Sequence, residues 1–275
     1  MCARFLASPS RWATMACSRC RSATRDISLP ACGPVAKVLA FETSTEACSV
    51  ALHVDGRVLE RFELAPRRHA ELALPWAEQL LADAGIARRQ LDAIAVGRGP
   101  GAFTGVRLAI GIAQGIALGL DVPVLAVSTL QVLALRAPAD ATQVLACIDA
   151  RMGEVYAGVF ERRGDTLLEL APEVVCAPDA LVLPNTLQRF VGVGTGFAAA
   201  DALLQQRFAT QLTSVDATAL PHAADLLTLA VPALLRGEGV APERVEPAYL
   251  RDNVALTLVE QQAARAAKAA GAKSG

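Results

Sequence analysis

The sequence predicts an α/β protein made of two similar lobes, each with strands and helices in the order β-β-β-α-β-α. Three observations support this prediction. Short apolar runs bounded by turn residues alternate with longer runs of helical periodicity. The order of these elements starts again about halfway along the 275 residues, which indicates an internal duplication. An acidic residue, Glu42 or Asp149, ends the first strand of each half.

Five strands are predicted in the first half. Apolar and β-branched residues between turn signals identify them, and Asp55-Gly56 is a hairpin turn between the second and the third. These strands are 38–41, 49–54, 58–64, 91–96 and 124–127.

Three helices complete the first half. Helix 69–84 has an apolar face and ends at Gly85. Helix 104–120 follows a glycine-rich loop and is predicted to be capped by Thr104, and helix 128–135 is capped by Ser128. The apolar face of the first helix consists of Leu72, Trp76, Leu80 and Leu81.

The second half repeats this order with weak identity. Arg163-Gly164-Asp165 is the predicted hairpin turn, and a loop with two glycines, 194–196, precedes a helix. The predicted strands are 144–148, 155–160, 166–175 and 190–193. The predicted helices are 179–183, 197–207 and 221–235.

The duplication predicts the domain limits. We expect a lobe over 37–137, a second lobe over 138–255, and an Ala- and Lys-rich tail over 256–275 that is frayed or disordered. Residues 1–36 are rich in Arg and Ser, which is typical of a transit peptide or of an over-long translation start. The Ala-, Arg- and Leu-heavy composition favours the second reading, and we leave this extension outside the predicted fold.

Composition and charge exclude several classes of protein. Hydrophobic residues make up 53% of the chain and charged residues 19%, so the bulk of the chain is predicted to be globular. No run of 18 apolar residues occurs, and we predict no membrane span. Residues 1–36 carry a net charge of +4 and the remainder −5, which disfavours an autonomous nucleic-acid-binding domain. Seven scattered cysteines predict a reducing, cytoplasmic compartment.

The segment 97–108, G-R-G-P-G-A-F-T-G-V-R-L, and the helix after it carry an unusual number of glycines. Gly111, Gly115 and Gly119 recur at every fourth residue, so they share one helix face, although each costs about 1 kcal/mol relative to Ala. This stripe either packs on the protein's own sheet or lets a partner helix approach closely. Arg107, one turn into the helix, lies in an ion pair or at a partner surface.

Two duplicated lobes whose first strands end in acids suggest the actin/Hsp70/sugar-kinase (ASKHA) architecture, a pair of ribonuclease-H-like lobes. Enzymes of this class use glycines in the first hairpin of each lobe to bind ATP phosphates. Here Ser44 stands where glycine is wanted, and Arg151 would crowd the second loop. We therefore predict no cofactor and no catalytic residue, with strand-end capping as the role of both acids. No pair of histidines has metal-ligand spacing, so no metal site is predicted.

Four segments together resemble one known family. They are residues 37–50 (K-V-L-A-F-E-T-S-T-E-A-C-S-V), the glycine-rich segment 97–108, residues 148–156 (I-D-A-R-M-G-E-V-Y) and residues 247–251 (P-A-Y-L-R). In this order and spacing they resemble the TsaB (YeaZ-type) family over roughly residues 37–251. Glu42 departs from the family pattern, in which Asp is more usual.

The resemblance implies a function in a complex. It implies a non-catalytic dimerisation subunit of the bacterial machinery that forms N6-threonylcarbamoyladenosine beside the anticodon of tRNA. The implied partners are a TsaD-type catalytic paralogue and a TsaE-type ATPase, with a homodimer when the chain is alone and tRNA contacted only through the complex. The alternative is an autonomous ASKHA-type ATP-dependent enzyme or, with less support, an M22-type peptidase.

The resemblance and the glycine stripe together predict a partner interface on two helices, 69–84 and 104–120. A partner helix that lies against a face of small residues can approach closely, which accounts for the repeated glycines. The residues predicted to form this interface are Leu72, Trp76, Arg107, Gly111, Gly115 and Gly119.

Overall fold

The computed structural model describes residues 25–28, 36–164 and 166–251, and its strands form two mixed sheets. The first sheet has the order β1-β4-β3-β2-β5-β6. Its strands β2, β3 and β4 form an antiparallel meander, and β5 and β6 extend the sheet parallel to β2. These strands are β1 (Arg25–Ser28), β2 (Val38–Glu42), β3 (Ala47–Val54), β4 (Arg57–Leu64), β5 (Ala93–Gly97) and β6 (Val124–Val127).

The second sheet repeats the same arrangement in the order β11-β10-β7-β8-β9. Strands β7, β8 and β9 form the meander, and β10 and β11 lie parallel to β7. The duplicated α/β fold is therefore confirmed. These strands are β7 (Gln143–Arg151), β8 (Glu154–Arg163), β9 (Thr166–Cys176), β10 (Phe190–Val193) and β11 (Leu212–Asp216).

Two differences from the prediction lie in the second half. Strand β11 was not predicted, because its sequence L-T-S-V-D has no run of apolar residues. The predicted helix 179–183 is wrong, because residues 178–180 form a turn and residues 181–184 have no regular secondary structure. Pro184 disfavours helical geometry at the residue before it, and too few residues remain for a helix. The second copy of the repeat therefore lacks its first helix.

The helices form layers on both sheets. Helices α1 (His69–Asp83) and α2 (Phe103–Leu120) pack on one face of the first sheet, where Leu39 and Phe41 join their apolar residues in one core. Helix α5 (Ala223–Leu235) covers the opposite face, against Val38. Consecutive residues of β2 thus point to opposite faces, as a strand requires.

The two halves exchange helices. Helix α3 (Thr129–Ala134) belongs to the first half of the sequence but packs on β7 and β8 of the second sheet. Helix α5 belongs to the second half but packs on the first sheet. Helix α4 (Ala199–Arg207) stays on the second sheet. The strands of the two sheets lie on either side of the predicted boundary at residues 137 and 138. Helices α3 and α5 each pack on the sheet of the other half, and the domain limits stay a prediction.

Of the predicted hairpin turn and helix N-caps in the first half, two are confirmed and one is wrong. Asp55 and Gly56 both have positive φ, as a two-residue hairpin turn requires, and the hydroxyl of Ser128 accepts from the first backbone N–H groups of α3. Both predictions are confirmed. The prediction for Thr104 is wrong, because α2 begins at Phe103 and Thr104 lies inside the first turn.

The predicted extension and tail fall mostly outside the described residues. From the 1–36 segment, β1 is described as a strand that pairs antiparallel with β4 at the sheet edge, so these four residues do lie on the fold. The tail over 256–275 lies outside the described residues, and its prediction stays open.

Helix α2 is long and apolar enough, by length and composition alone, to cross a membrane. Its 18 residues have a mean hydropathy of 1.5, and it is the one helix in the described part of the chain that reaches this threshold. A helix that packs on a sheet in a duplicated α/β protein passes the same test. Ala109, Ala113 and Ala117 of α2 are buried in the core of the first sheet, which accounts for the apolar composition of one side of the helix.

Candidate functional site

The glycine-rich loop packs against the end of the first strand. A Cβ atom on Gly97 would overlap the Glu42 carboxylate, and one on Gly105 would overlap the carbonyl oxygen of Thr43. A Cβ atom on Gly101 would meet the Cβ of Ser44 at 2.7 Å. These three glycines are therefore required for the close approach of two loops. They do not form a free phosphate cradle.

Hydrogen bonds hold the two loops together. The hydroxyl of Thr43 donates to the carbonyl oxygen of Gly105 at 2.8 Å. The backbone N–H of Ala102 donates to the carbonyl oxygen of Ser44 at 2.7 Å. The loop after β2, which is the first hairpin of the lobe, is thereby fixed to the start of α2.

Glu42 is a buried part of this junction. Its carboxylate accepts from the backbone N–H of Ser44 at 2.9 Å, from the Ser44 hydroxyl, and from the Thr129 hydroxyl at 3.3 Å. Burial raises the pKa of Glu42, and these hydrogen bonds oppose the shift without cancelling it. The carboxyl group therefore faces groups of its own chain, which is the strand-end capping expected from the sequence.

Asp149 has an equivalent place in the second half. Its carboxylate accepts from the backbone N–H of Arg151 at 2.8 Å and from the Arg151 guanidinium at 3.0 Å. The backbone N–H of Asp149 donates to the hydroxyl oxygen of Thr195 at 3.1 Å. Both acids thus stabilise the loops that follow their strands. The part of the chain that the structure describes contains no cluster of three or more His, Cys, Asp or Glu side chains suited to a metal ion.

A cleft of about 520 Å³ lies between the two lobes beside these loops. The loops after β2 and β7 and the start of α2 all contribute to its walls. Four arginines line it, together with two tyrosines and one phenylalanine. They are Arg67, Arg107, Arg151, Arg251, Tyr156, Tyr249 and Phe103.

The outer face of α2 carries the glycine stripe. Gly111, Gly115 and Gly119 are exposed, and a Cβ atom on any of them would meet nothing within 4 Å. Of the two readings of the stripe, packing on the protein's own sheet is therefore wrong for the glycines. The sheet is contacted by the alanines at 109, 113 and 117. The outer face, as we use the term below, consists of Phe103, Gly111, Gly115, Leu118 and Gly119.

The other predicted interface residues differ in how far they are buried. Trp76 is 7% exposed and lies in the core beneath α1, so its predicted place at an interface is corrected. The apolar face that the sequence reveals is the one that packs on the sheet. Leu72 is half-buried at the edge of this core, and Arg107 is half-buried at the start of α2. Leu74, which the sequence analysis did not single out, is exposed on α1.

Two duplicated mixed sheets with a cleft between them define an α/β protein of the actin-like class. The family model described as "TsaD: tRNA N6-adenosine threonylcarbamoyltransferase" matches residues 62–258. The chain is 43% identical over 227 residues to the tRNA threonylcarbamoyladenosine biosynthesis protein TsaB of Escherichia coli K12, with 80% of this chain and 96% of that protein covered. The protein of the same name from Haemophilus influenzae is 41% identical, with 79% and 94% covered.

Solved structures agree with this assignment. The crystallised YeaZ of Pseudomonas aeruginosa superposes with a TM-score of 0.71 at 46% identity and covers 78% of this chain and all of its own. The chain belongs to the TsaB (YeaZ-type) family.

Proposed function

We propose that this protein is a non-catalytic subunit in the biosynthesis of tRNA N6-threonylcarbamoyladenosine, and that it binds and supports a TsaD-type catalytic paralogue. The relatives named above carry the name of this pathway, and the chain covers nearly their full length. The observation that carries the scaffold role is the outer face of α2, where an apolar helix presents three exposed glycines with open space before them.

The outer face has the chemistry of a helix-packing surface. Phe103 and Leu118 are each 62% exposed at its two ends, and Leu74 of α1 is exposed on the neighbouring helix. Large exposed apolar side chains next to a stripe of small ones mark interaction sites. A partner interface of ordinary size buries about 1,600 Å² in total, which two helices from each side can supply. The same surface would serve a homodimer when the paralogue is absent.

The environments of the two strand-end acids favour this role over an autonomous ATP-dependent enzyme. Glu42 is buried among protein hydrogen-bond donors, and Asp149 is engaged by Arg151 of its own loop. The net charge of −5 beyond residue 36 favours contact with tRNA only through the complex. We propose a TsaE-type ATPase as a further member of that complex, in the cytoplasm.

Replacing Gly115 with Leu is expected to abolish co-purification with the TsaD-type subunit of the same organism. The new side chain would occupy the space proposed for the partner helix, while the fold is retained because a Cβ atom at this position would meet nothing within 4 Å outside the nearby backbone of α2. Co-expression with a tagged paralogue followed by size-exclusion chromatography measures the result.

Two control variants accompany this experiment. Gly115→Ala adds little volume and should retain most of the complex. Gln206→Leu adds an apolar side chain at an exposed position of α4, far from α2 in sequence, and should co-purify normally. Normal co-purification of Gly115→Leu would refute the assigned surface. Turnover of ATP with Mg²⁺ by the purified chain alone, measured by calorimetry, would refute the scaffold role.

A further inference from the structure

The P-A-Y-L-R segment near the end of the described chain joins both lobes to α2. We call residues 245–251 the strap. The side-chain amide of Gln114, on α2, donates to the carbonyl oxygen of Val245 at 3.3 Å, and the backbone N–H of Ala248 donates to the carbonyl oxygen of Arg98 at 2.8 Å. At its other end, Arg251 donates to the carbonyl oxygen of Ala150 at 3.2 Å and pairs with Glu154. The strap is therefore fixed to the first lobe and to the second.

Tyr249, in the middle of the strap, completes a stack at the start of α2. The Arg107 guanidinium lies 3.2 Å from the ring centroid of Phe103 and 5.0 Å from that of Tyr249. Arg107 also donates to the Tyr249 hydroxyl. Phe103 is 62% exposed and Tyr249 is 57% exposed, so both rings remain open to a binding partner. We call these three residues the aromatic stack.

The aromatic stack has an uncompensated charge. No carboxylate among the described residues forms a salt bridge with Arg107, whereas Arg151 and Arg251 at the same cleft each have one. The two rings restrain the guanidinium, so the Arg107 side chain loses little further conformational entropy when a ligand binds it. A restrained guanidinium matches the two oxygens of a carboxylate, and Arg and Tyr are among the residue types enriched at the hot spots of protein interfaces.

The position of the stack relates it to the proposed partner surface. Phe103 belongs both to the stack and to the outer face of α2, so the two surfaces are continuous. Arg151 and Arg251 at the same cleft are already paired within the chain, and residues 37–275 carry a net charge of −5, so Arg107 suits one carboxylate of a protein better than a run of phosphates. A carboxylate flanked by apolar side chains would match the guanidinium and the two exposed rings together.

We propose that the aromatic stack is the polar anchor of the subunit interface, and that it binds a carboxylate side chain of the TsaD-type partner between Phe103 and Tyr249. This inference rests on the proposed function. Arg251 is a positioning residue, because it fixes the strap that carries Tyr249 but does not touch the stack.

The test measures the dissociation constant of the TsaD-type subunit by calorimetry at about 50 mM and about 500 mM salt. Arg107→Ala is expected to raise it about 30-fold at low salt, in the range of interface hot spots, and less at high salt. Arg107→Lys should recover only part of the loss, because an ammonium lacks the planar, bidentate geometry. Tyr249→Ala should raise the constant about tenfold.

Two further variants separate positioning from general damage. Arg251→Ala should weaken binding less than Arg107→Ala and should speed amide hydrogen exchange in the strap, whereas a merely local role would leave exchange at Ala248 and Tyr249 unchanged. Arg236→Ala removes an exposed arginine that pairs with Glu238 and should bind normally. Thermal unfolding of each variant verifies that the fold is intact.

The outcomes distinguish the two proposals. If the wild-type chain does not bind the TsaD-type subunit, the proposed function fails. The proposed anchor is wrong if the wild-type chain binds and the dissociation constant of Arg107→Ala lies within about twofold of the wild-type value. It is equally wrong if Arg107→Ala loses the same affinity at both salt concentrations. The anchor is also wrong if the variants weaken tRNA binding by the assembled complex and leave subunit affinity unchanged, because the stack would then bind a nucleic acid.

Discussion

Replacing Gly105 with Ala is expected to lower the free energy of unfolding by about 3 kcal/mol. The added Cβ would overlap the carbonyl oxygen of Thr43, which is backbone and cannot rotate away. Relief requires that the loop after β2 separate from the start of α2, which breaks the hydrogen bond from the Thr43 hydroxyl to the Gly105 carbonyl. Urea denaturation followed by circular dichroism measures the change.

Gly111→Ala is the matched control for this variant. It lies on the same helix, at an exposed position in the middle of α2, where a Cβ would meet nothing within 4 Å. Because alanine is the better helix former, this variant should raise the free energy of unfolding by about 1 kcal/mol. If both substitutions change stability by similar amounts in the same direction, the loop packing described for Gly105 is incorrect.

Removing the carboxylate of Glu60 is expected to destabilise the protein by about 3 kcal/mol. Glu60 is buried and holds the start of α5 on the first sheet. Its carboxylate accepts from the Ser49 hydroxyl at 2.7 Å and from the backbone N–H of Ala224 at 3.1 Å, and it pairs with His222 at 3.1 Å. Glu60→Ala leaves each of these buried donors without its acceptor. Urea denaturation at neutral pH measures the loss.

The same cluster predicts a pH dependence. Burial by itself would raise the pKa of Glu60, but the hydrogen bonds and charge of His222, with the Ser49 and Ala224 donors, outweigh burial and hold it below the ordinary value of 4.5. A lowered carboxyl pKa contributes stability that is fully present above pH 4.5 and is lost as the pH falls through the lower folded value. The wild-type urea midpoint should therefore decrease over this acidic range.

Glu60→Gln is the control for the pH dependence, since it keeps the shape of the side chain and removes its titration. Asp225 lies nearby and has a pKa that burial raises, and the charge of Glu60 adds to this rise, so the comparison reports Glu60 together with its coupling to Asp225. The difference in unfolding free energy between wild type and Glu60→Gln should shrink as the pH falls below 4.5. A difference that is constant with pH would show that the Glu60 charge does not stabilise the fold.

Local patterns in the sequence predicted most strands, because alternation and turn residues act over a few positions. Asp55-Gly56 specified its hairpin, and Ser128 specified the start of α3. Strand β11 was not predicted, because an edge strand that is partly exposed needs no run of apolar residues. The core face of α1 was read correctly as an apolar stripe, but the stripe does not tell whether Trp76 meets a sheet or a partner.

The candidate site depended on contacts that no local pattern carries. Gly105 is glycine because Thr43, 62 positions earlier, lies against it. Arg107 and Tyr249 are 142 residues apart in sequence and meet only through the strap. The motifs that contain them were recognised as a set, but their mutual contact is a property of the folded chain. The outward direction of Gly111, Gly115 and Gly119 likewise follows from the packing of the alanines on the sheet, which the sequence pattern does not contain.

The exchange of α3 and α5 has a consequence for the order in which the chain is made. Strands β2 to β6 are complete when residue 127 leaves the ribosome, but the helix that covers their second face ends at residue 235. At ordinary rates of translation this interval lasts about 5 to 20 seconds. Throughout it, the apolar face that includes Val38, Ala40, Ala93 and Ala95 lacks the α5 residues that pack on it in the folded protein. The second face of the first sheet therefore gains its helix α5 only after nearly all of the second half has been made.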